Sequence, residues 1–437
     1  MDESKDTGRG WFRPLRIIAA VLVLALIISF ITPSAGIFSR ASGDDEPDPA
    51  EASPPPADSF DTYYALANTA ISEGSYQDAV SYLEKARELS SALSDKQKAE
   101  LSLKTASVYI LLGQNDRAYG LLEEALSLDS SSPQAFLLRA QLSIDTGQYS
   151  AAVPDLRAYA ELSPEDLETR LALAQLLENL GDYQGAAAEF EKLYAEHPED
   201  ASHRLNSLRC LFLTGDTQGA ISGFDDFLAQ TEADSPYVPI AEFLRAACFM
   251  QLGDMQQAEA GFLSAMDKGY DRADCLEQLV LCSFEREDYA KTVEYGEGLI
   301  ELGSEGTEPG PFKLRMGASL MLLERYEEAI TYLDAAEELD SSLSGCNYYR
   351  GVSLLALERY GEAAEDFGKS IEEGFLTQFC YYNRGVCYVQ LLEYDKALED
   401  MKMTLSTGND AELITAAEEI IIQIEAYNEA LAAENTG

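Results

Sequence analysis

A chain of 437 residues is longer than one compact core organises, so it folds either as several domains or as an elongated array. Its 46% apolar content is ordinary for a folded protein, but 77 acidic against 31 basic residues leave a net charge of −46. A surface this acidic repels nucleic acid, favours basic partners or divalent cations, and keeps an extended array soluble.

The first elements are not globular. Residues 1–16 form a basic tail with Lys5, Arg9, Arg13 and Arg16. An uncharged run from Ile17 to Ile31 comes next, which predicts a transmembrane helix over 17–32. Trp11 and Phe12 on one side, and Ile37 and Phe38 on the other, extend it into both interfaces. The excess of basic residues before the run keeps the N-terminus cytoplasmic and places the remainder of the chain outside the cytoplasm, in a single-pass cell-membrane protein. A cleaved signal peptide, processed near Ser39-Arg40-Ala41 and giving a secreted product, is the alternative. The run is at the long limit for such a segment, which favours an uncleaved anchor. No cysteine precedes Cys210, which excludes a lipoprotein attachment site. Residues 33–59 are acidic and Pro-rich and predict an extended, disordered linker.

From Phe60 onward the sequence is periodic. In the stretch 167–198, Leu173, Ala174 and Leu177 give one helix an apolar face, Gly181-Asp182-Tyr183 breaks and restarts the chain, and Ala186, Phe190 and Leu193 give a second helix its face before Pro198. Steps of 34 residues from Gly181 reach Gly147, Gly113 and Gly215, and the alanine five places on recurs at Ala118, Ala152, Ala186 and Ala220. One such hairpin cannot bury its own apolar face, so this is a stacked array. The small residue at Ala140 or Ala174, the Ala-x3-aromatic at Ala186/Phe190 or Ala220/Phe224, and the terminal Pro164 or Pro198 resemble the tetratricopeptide repeat (TPR) family. The resemblance covers nearly everything after Phe60. It implies an all-α fold: a right-handed superhelical solenoid of about ten TPR-type hairpins plus a C-terminal capping helix, preceded by one transmembrane helix.

The hairpins turn at Gly74, Gly113, Gly147, Gly181, Gly215, Gly253, Glu287, Glu324, Glu358 and Leu392. Gly317, Gly351 and Gly385 take the small-residue slot of the last three first helices. Four departures are expected to matter. Residues are inserted near Ala233–Val238. Pro154 sits inside a second helix and should kink it. Thr292 and Gly296 replace the Ala and the aromatic of the seventh hairpin, which predicts weaker packing there. The Gly- and Glu-rich loop 303–310 is expected to hinge two subarrays, 60–302 and 311–408. Residues 409–437 then form the capping helix and tail, with Asn409 and Asp410 as N-caps and an apolar stripe of Leu413, Ala417, Ile420, Ile424, Tyr427 and Leu431. Its extra Ile421 and Ile422 leave a dimerising helix as the alternative.

Little in the chain suggests chemistry. His197 and His203 are the only histidines, no cysteine sits beside them, and neither a phosphate loop after a strand nor a nucleophile–His–acid set can be assembled. The expectation is no enzyme, no metal and no cofactor. Cys210, Cys248, Cys282 and Cys387 share one register slot, and Cys275, Cys346 and Cys380 share another; both read as small buried thiols.

In the TPR family the first helices line the concave face where peptides dock. Carried over by register, the protein-binding positions are Phe243, Met250, Leu281, Phe284, Leu314, Met321, Tyr348, Leu355, Phe379, Tyr382, Val386 and Val389. The corresponding N-terminal positions, Tyr64, Asn68, Gln141, Gln175, Glu178 and Asn179, are mostly polar. Apolar character late in the groove implies an apolar or helical partner segment. Arg350, Asn383 and Arg384 stand at or near the last two first helices, available either to an acidic group of a partner or to nearby acids. The expected function is a membrane-anchored scaffold for protein–protein interaction, with an envelope assembly or secretion factor that holds client polypeptides as the alternative and an enzyme or enzyme subunit as a more remote one.

Overall fold

The turn Gly181-Asp182-Tyr183 shows how the sequence makes a hairpin in three residues. In a computed structural model of the protein, Gly181 takes a left-handed φ of 79°. That lets its N–H reach the carbonyl of Glu178 at 2.9 Å and the N–H of Asp182 reach that of Leu177 at 2.9 Å, which closes the first helix with a Schellman motif. The Asp182 carboxylate then accepts the N–H of Gly185 at 2.9 Å and caps the next helix, whose first residue is Tyr183.

The structure describes residues 58–436, and among these it contains 21 α-helices and no strand. They pair as α1 Phe60–Ser72 with α2 Tyr76–Glu88, α3 Asp95–Leu111 with α4 Asn115–Leu128, α5 Pro133–Asp145 with α6 Tyr149–Leu162, and α7 Leu167–Asn179 with α8 Tyr183–Glu196. Next come α9 Ala201–Leu213 and α10 Thr217–Gln230, between which the chain divides into two compact units at Asp216/Thr217. The second unit continues with α11 Val238–Gln251 and α12 Met255–Asp267, α13 Arg272–Glu285 and α14 Tyr289–Glu301, α15 Pro309–Leu322 and α16 Tyr326–Leu339, α17 Cys346–Ala356 and α18 Tyr360–Glu373, α19 Thr377–Gln390 and α20 Tyr394–Thr407. The long α21 Ala411–Thr436 ends it. Helical hairpins that contact their sequence neighbours make each unit solenoid-like.

The expected faces are the buried ones. Leu173, Ala174 and Leu177 of α7 and Ala186, Phe190 and Leu193 of α8 are all at most 1% exposed. The small-residue slot is a real steric constraint in the last three hairpins. A Cβ at Gly317 would stand 2.5 Å from Cγ of Leu333, one at Gly351 3.0 Å from the Phe367 ring, and one at Gly385 2.7 Å from the Met401 methyl.

Helix α6 continues through Pro154, which removes one intrahelical bond, and its entry is tightened by the Ala151 N–H on the Gln148 carbonyl at 3.0 Å. Expectations for the next two departures are corrected. The seventh hairpin is not loosely packed: Thr292 is fully buried and hydrogen-bonds Ser283 at 3.0 Å, and the side chain of Met316 fills the space beside Gly296. The loop 303–310 lies inside the second unit rather than between two units. It is tied down where Thr307 donates its N–H (2.7 Å) and hydroxyl (2.5 Å) to Glu277 of α13, and one buried cluster, from Phe262 and Leu276 to Phe312 and Leu333, extends past it on both sides.

Asp410 caps α21 by accepting the N–H groups of Glu412 and Leu413 at 3.1 and 3.0 Å. Ala417 and Ile424 are buried against the last hairpin, but Tyr427 and Leu431 of the same stripe are exposed, as is Ile422. The basic tail 1–16, the transmembrane segment 17–32 and nearly all of the linker 33–59 lie outside the described residues. Among the described residues no helix is long and apolar enough to cross a membrane.

Candidate protein-binding surface

From α15 onward the first helices form a layer of their own. Helix α15 packs directly on α17, α17 on α19, and α19 on α21, whereas no comparable contact joins α16 to α18 or α18 to α20. First helices that touch while second helices do not make this stretch bend toward its first-helix side. Leu314, Met321, Tyr348, Leu355, Phe379, Tyr382, Val386 and Val389 all lie on these three contiguous helices.

Their burial divides them. Phe379 is 36% exposed, Met321 is buried, and Leu314, Tyr348, Leu355, Tyr382, Val386 and Val389 are half-buried. Tyr348 is held edge-on to Phe367 and tilted against Phe375, with centroids 6.3 and 5.8 Å apart, and burial pushes its hydroxyl up to about 12. The four positions on α11 and α13 are also half-buried, but two of them serve the interior of their own hairpins. Phe243 stacks on Tyr270 at 4.2 Å and meets Phe262 edge-on, and Phe284 meets Tyr289 edge-on at 6.0 Å. Met250 packs at the edge of the same buried cluster, and Leu281 is half-buried on α13.

The basic groups held open for a partner are taken by the protein itself. Arg350 bonds Asp366 through Nε and Nη2 at 2.6 and 2.9 Å and reaches Asp334 and Glu337 through Nη1. Arg384 makes the same bidentate pair with Asp400, both bonds at 2.8 Å. In the first unit Glu178 pairs with Arg209, and the half-buried Lys104 ammonium sits 4.9 Å over the Tyr64 ring, pulled below its usual pKa by burial.

Two groups on this face were not singled out by register. Leu322, two residues before the turn on α15, is 46% exposed. Arg315, next to Leu314, is half-buried; burial pulls its guanidinium below the usual range, and Glu285, Glu308 and Glu277 push it back up. The signal for both was available, because each stands one residue from a position the register had marked.

Elsewhere the polar groups are tied up locally. His197 is hydrogen-bonded to Glu199 at 2.8 Å, and His203 faces Asp200. All seven cysteines are buried and unbridged, as their register slots imply. Among the described residues no group of His, Cys, Asp and Glu is placed to hold a metal ion.

Helical hairpins at recurring register, each packed on its sequence neighbours, define a repeat protein of the solenoid class. Residues 171–235 and 314–374 match the tetratricopeptide repeat model, and residues 72–158 match the model for subunit 3 of the anaphase-promoting complex, or cyclosome.

Solved structures of similar fold include Naa15/Naa10 bound to HypK-THB, at 13% identity and a TM-score of 0.47, covering 85% of this chain and 67% of that one. The C-terminal part of a TPR repeat-containing protein from Cytophaga hutchinsonii is 16% identical with a TM-score of 0.42, covering 56% and 98%. Yeast Tom70 is 15% identical with a TM-score of 0.33, covering 86% and 98%. No curated protein matches the chain.

Proposed function

We propose that this protein is a membrane-anchored TPR scaffold that binds a partner protein on the first-helix face of its second unit. The observation that carries this reading is the contiguous layer α15–α17–α19, which leaves Leu322 and Phe379 exposed at 46% and 36%. Apolar side chains grouped on one face of a highly charged protein are a binding feature. The work is reversible binding rather than turnover. The uncharged run Ile17–Ile31 behind a basic tail supports the anchor, with the repeats outside the cytoplasm.

Site-specific photocrosslinking in cells tests the surface. A probe at Phe379 should give one dominant adduct, and a probe at Lys369 on α18 should not. A smear of adducts from Phe379 would instead indicate a factor that holds many client polypeptides, and equal labelling from both positions would remove the surface from consideration. For the anchor, deletion of residues 17–32 should move the protein from the carbonate-resistant membrane pellet to the soluble fraction.

A further inference from the structure

The first-helix face is chemically graded, and the grade names a partner. Equivalent register positions can be compared along α13, α15, α17 and α19. Two residues before the turn stand Glu285, Leu322, Ala356 and Gln390; ten before it stand Glu277, Leu314, Tyr348 and Tyr382. Both rows begin with a carboxylate on α13 and become apolar on α15. Helices α13 and α15 share one buried cluster through Leu276, Leu279, Phe312 and Met316, so the acidic edge adjoins the apolar surface.

That edge is short of cations. The buried Glu242 and Glu259 of this unit each meet two basic groups, Arg245 and Lys268 for the first, Arg286 and Lys291 for the second. At the edge Glu277 is half-buried, with Oε1 held by Thr307, while Glu285 and Glu308 are exposed. Among the described residues no basic side chain forms an ion pair with Glu277, Glu285 or Glu308, and Arg315 stands among these three acids without an ion-pair contact to any. One cation against three acids leaves this corner negative, in a chain that is already strongly acidic.

We propose that the occupant of this face is an amphipathic helical segment of a partner protein, apolar where it crosses α15–α19 and basic where it meets Glu277 and Glu285 on α13. The proposal rests on the binding face assigned above and adds the partner's chemistry and its direction across the helices. Apolar contact supplies affinity, and the charge match at one end sets orientation and association rate.

The test uses the full-length protein in detergent and two labelled synthetic peptides of about 14 residues with leucine at helical i, i+3, i+4, i+7 spacing. In one the remaining positions are lysine, and in the other glutamate. Anisotropy should report binding of the Leu/Lys peptide only. Glu285→Lys and Leu322→Asp should each weaken it about tenfold or more, whereas Glu362→Lys, an equal charge change on α18, should leave it within about twofold. Equal weakening by Glu362→Lys would show attraction to the net charge and overturn the proposal. Failure of both peptides to bind would overturn it too. Binding of both peptides, abolished by Leu322→Asp, would overturn the basic partner while leaving the binding face standing. Circular dichroism melts of each variant separate lost binding from lost fold.

Discussion

The thioether of Met316 lies where a side chain at residue 296 would begin. Other second helices of the array place a large side chain in this slot, as Phe190 does in α8 and Phe367 in α18, and both are at most 1% exposed. In α14 the slot is Gly296, and the first helix of the next hairpin fills the gap with Met316, which is itself fully buried. A flexible thioether suits a space left by a different residue type. Gly296→Ala is therefore expected to destabilise the second unit by about 1–3 kcal/mol through overpacking. The ordinary effect of Gly→Ala inside a helix is a gain of about 1 kcal/mol. Gly120 of α4 has nothing within 4 Å of its would-be Cβ, so Gly120→Ala should show that gain. Urea midpoints of the two variants should move in opposite directions.

The turn position is left-handed in all ten hairpins, yet only the first six use glycine. Glu287, Glu324, Glu358 and Leu392 hold φ of 58°, 62°, 61° and 61°. The hydrogen bonding is the same, with Glu324 N–H on the Met321 carbonyl at 3.0 Å and Arg325 N–H on that of Leu320 at 2.9 Å. A side chain in this conformation costs about 1–2 kcal/mol relative to glycine, partly returned by the lower entropy of the unfolded chain. Each single change to glycine at these four sites should raise the melting temperature. The reverse change, Gly181→Glu, should lower it by a comparable amount.

The helical pairs and their turns were legible because their causes are local. The three-residue turn needs a left-handed residue and then a capping acid or its substitute. The next helix restarts on tyrosine in seven of the ten hairpins, and most successive hairpins are 34 residues apart. Compensation between hairpins was not legible. The pairing of Met316 with Gly296 joins residues 20 apart on different hairpins, and the Glu277–Thr307 contact that ties down a supposed hinge is 30 apart. The fate of Arg350 and Arg384 could be read in part: each has an Asp 16 residues on, as does Arg139, and those pairs form in all three hairpins. Register could not show which of the marked positions pack inward, because the burial of Phe243 and Phe284 depends on aromatic neighbours in their own hairpins.

The Arg350–Asp366 pair is enclosed, with both residues at most 8% exposed. Asp366→Ala strands a buried guanidinium whose remaining acids, Asp334 and Glu337, reach only one of its nitrogens. Removal of one partner from such a pair typically costs about 3–5 kcal/mol, and the surviving contacts put this case at the lower end, about 3. On the surface, Arg325 bonds Glu328 at 2.8 and 2.7 Å in similar geometry, but solvent screens it. Glu328→Ala should change stability by less than about 1 kcal/mol. Chemical denaturation of both variants checks the contrast.

Asp274 gives a pH signature. Burial, with Asp271 and Glu277 adding to it, holds its carboxyl above the usual carboxylate range. In the unfolded chain the carboxyl returns to about 3.9. Folding therefore takes up a proton between the two values, and the charged Asp274 opposes folding at every pH above the folded one. The opposition shrinks as pH falls through the folded value and is gone below the unfolded one. Asp274→Asn is expected to stabilise the protein at pH 7 and to make no difference below about pH 3. A stability gain that is equal at both pH values would show that charge is not its cause.

The seven cysteines make the most direct demand on the structure. Burial pushes the thiols of Cys248, Cys275, Cys282 and Cys387 up to about 12 and those of Cys210 and Cys346 up to about 11. Cys380 is raised as well, and its thiol donates to the Phe375 carbonyl at 3.2 Å. The thiolate is the reacting species, so at pH 8 each native thiol is both shielded and protonated. A thiol reagent such as Ellman's should find no fast-reacting group in the native protein and all seven in urea. In the native state the reaction then proceeds only as fast as each hairpin opens, and it reads local stability along the array. This burial also explains how free thiols persist in a protein whose repeats are proposed to lie outside the cytoplasm: oxidation requires a thiolate at the surface, and none of the seven presents one. A cysteine that reacts natively at the rate of an unfolded peptide would show that its hairpin is not packed as described.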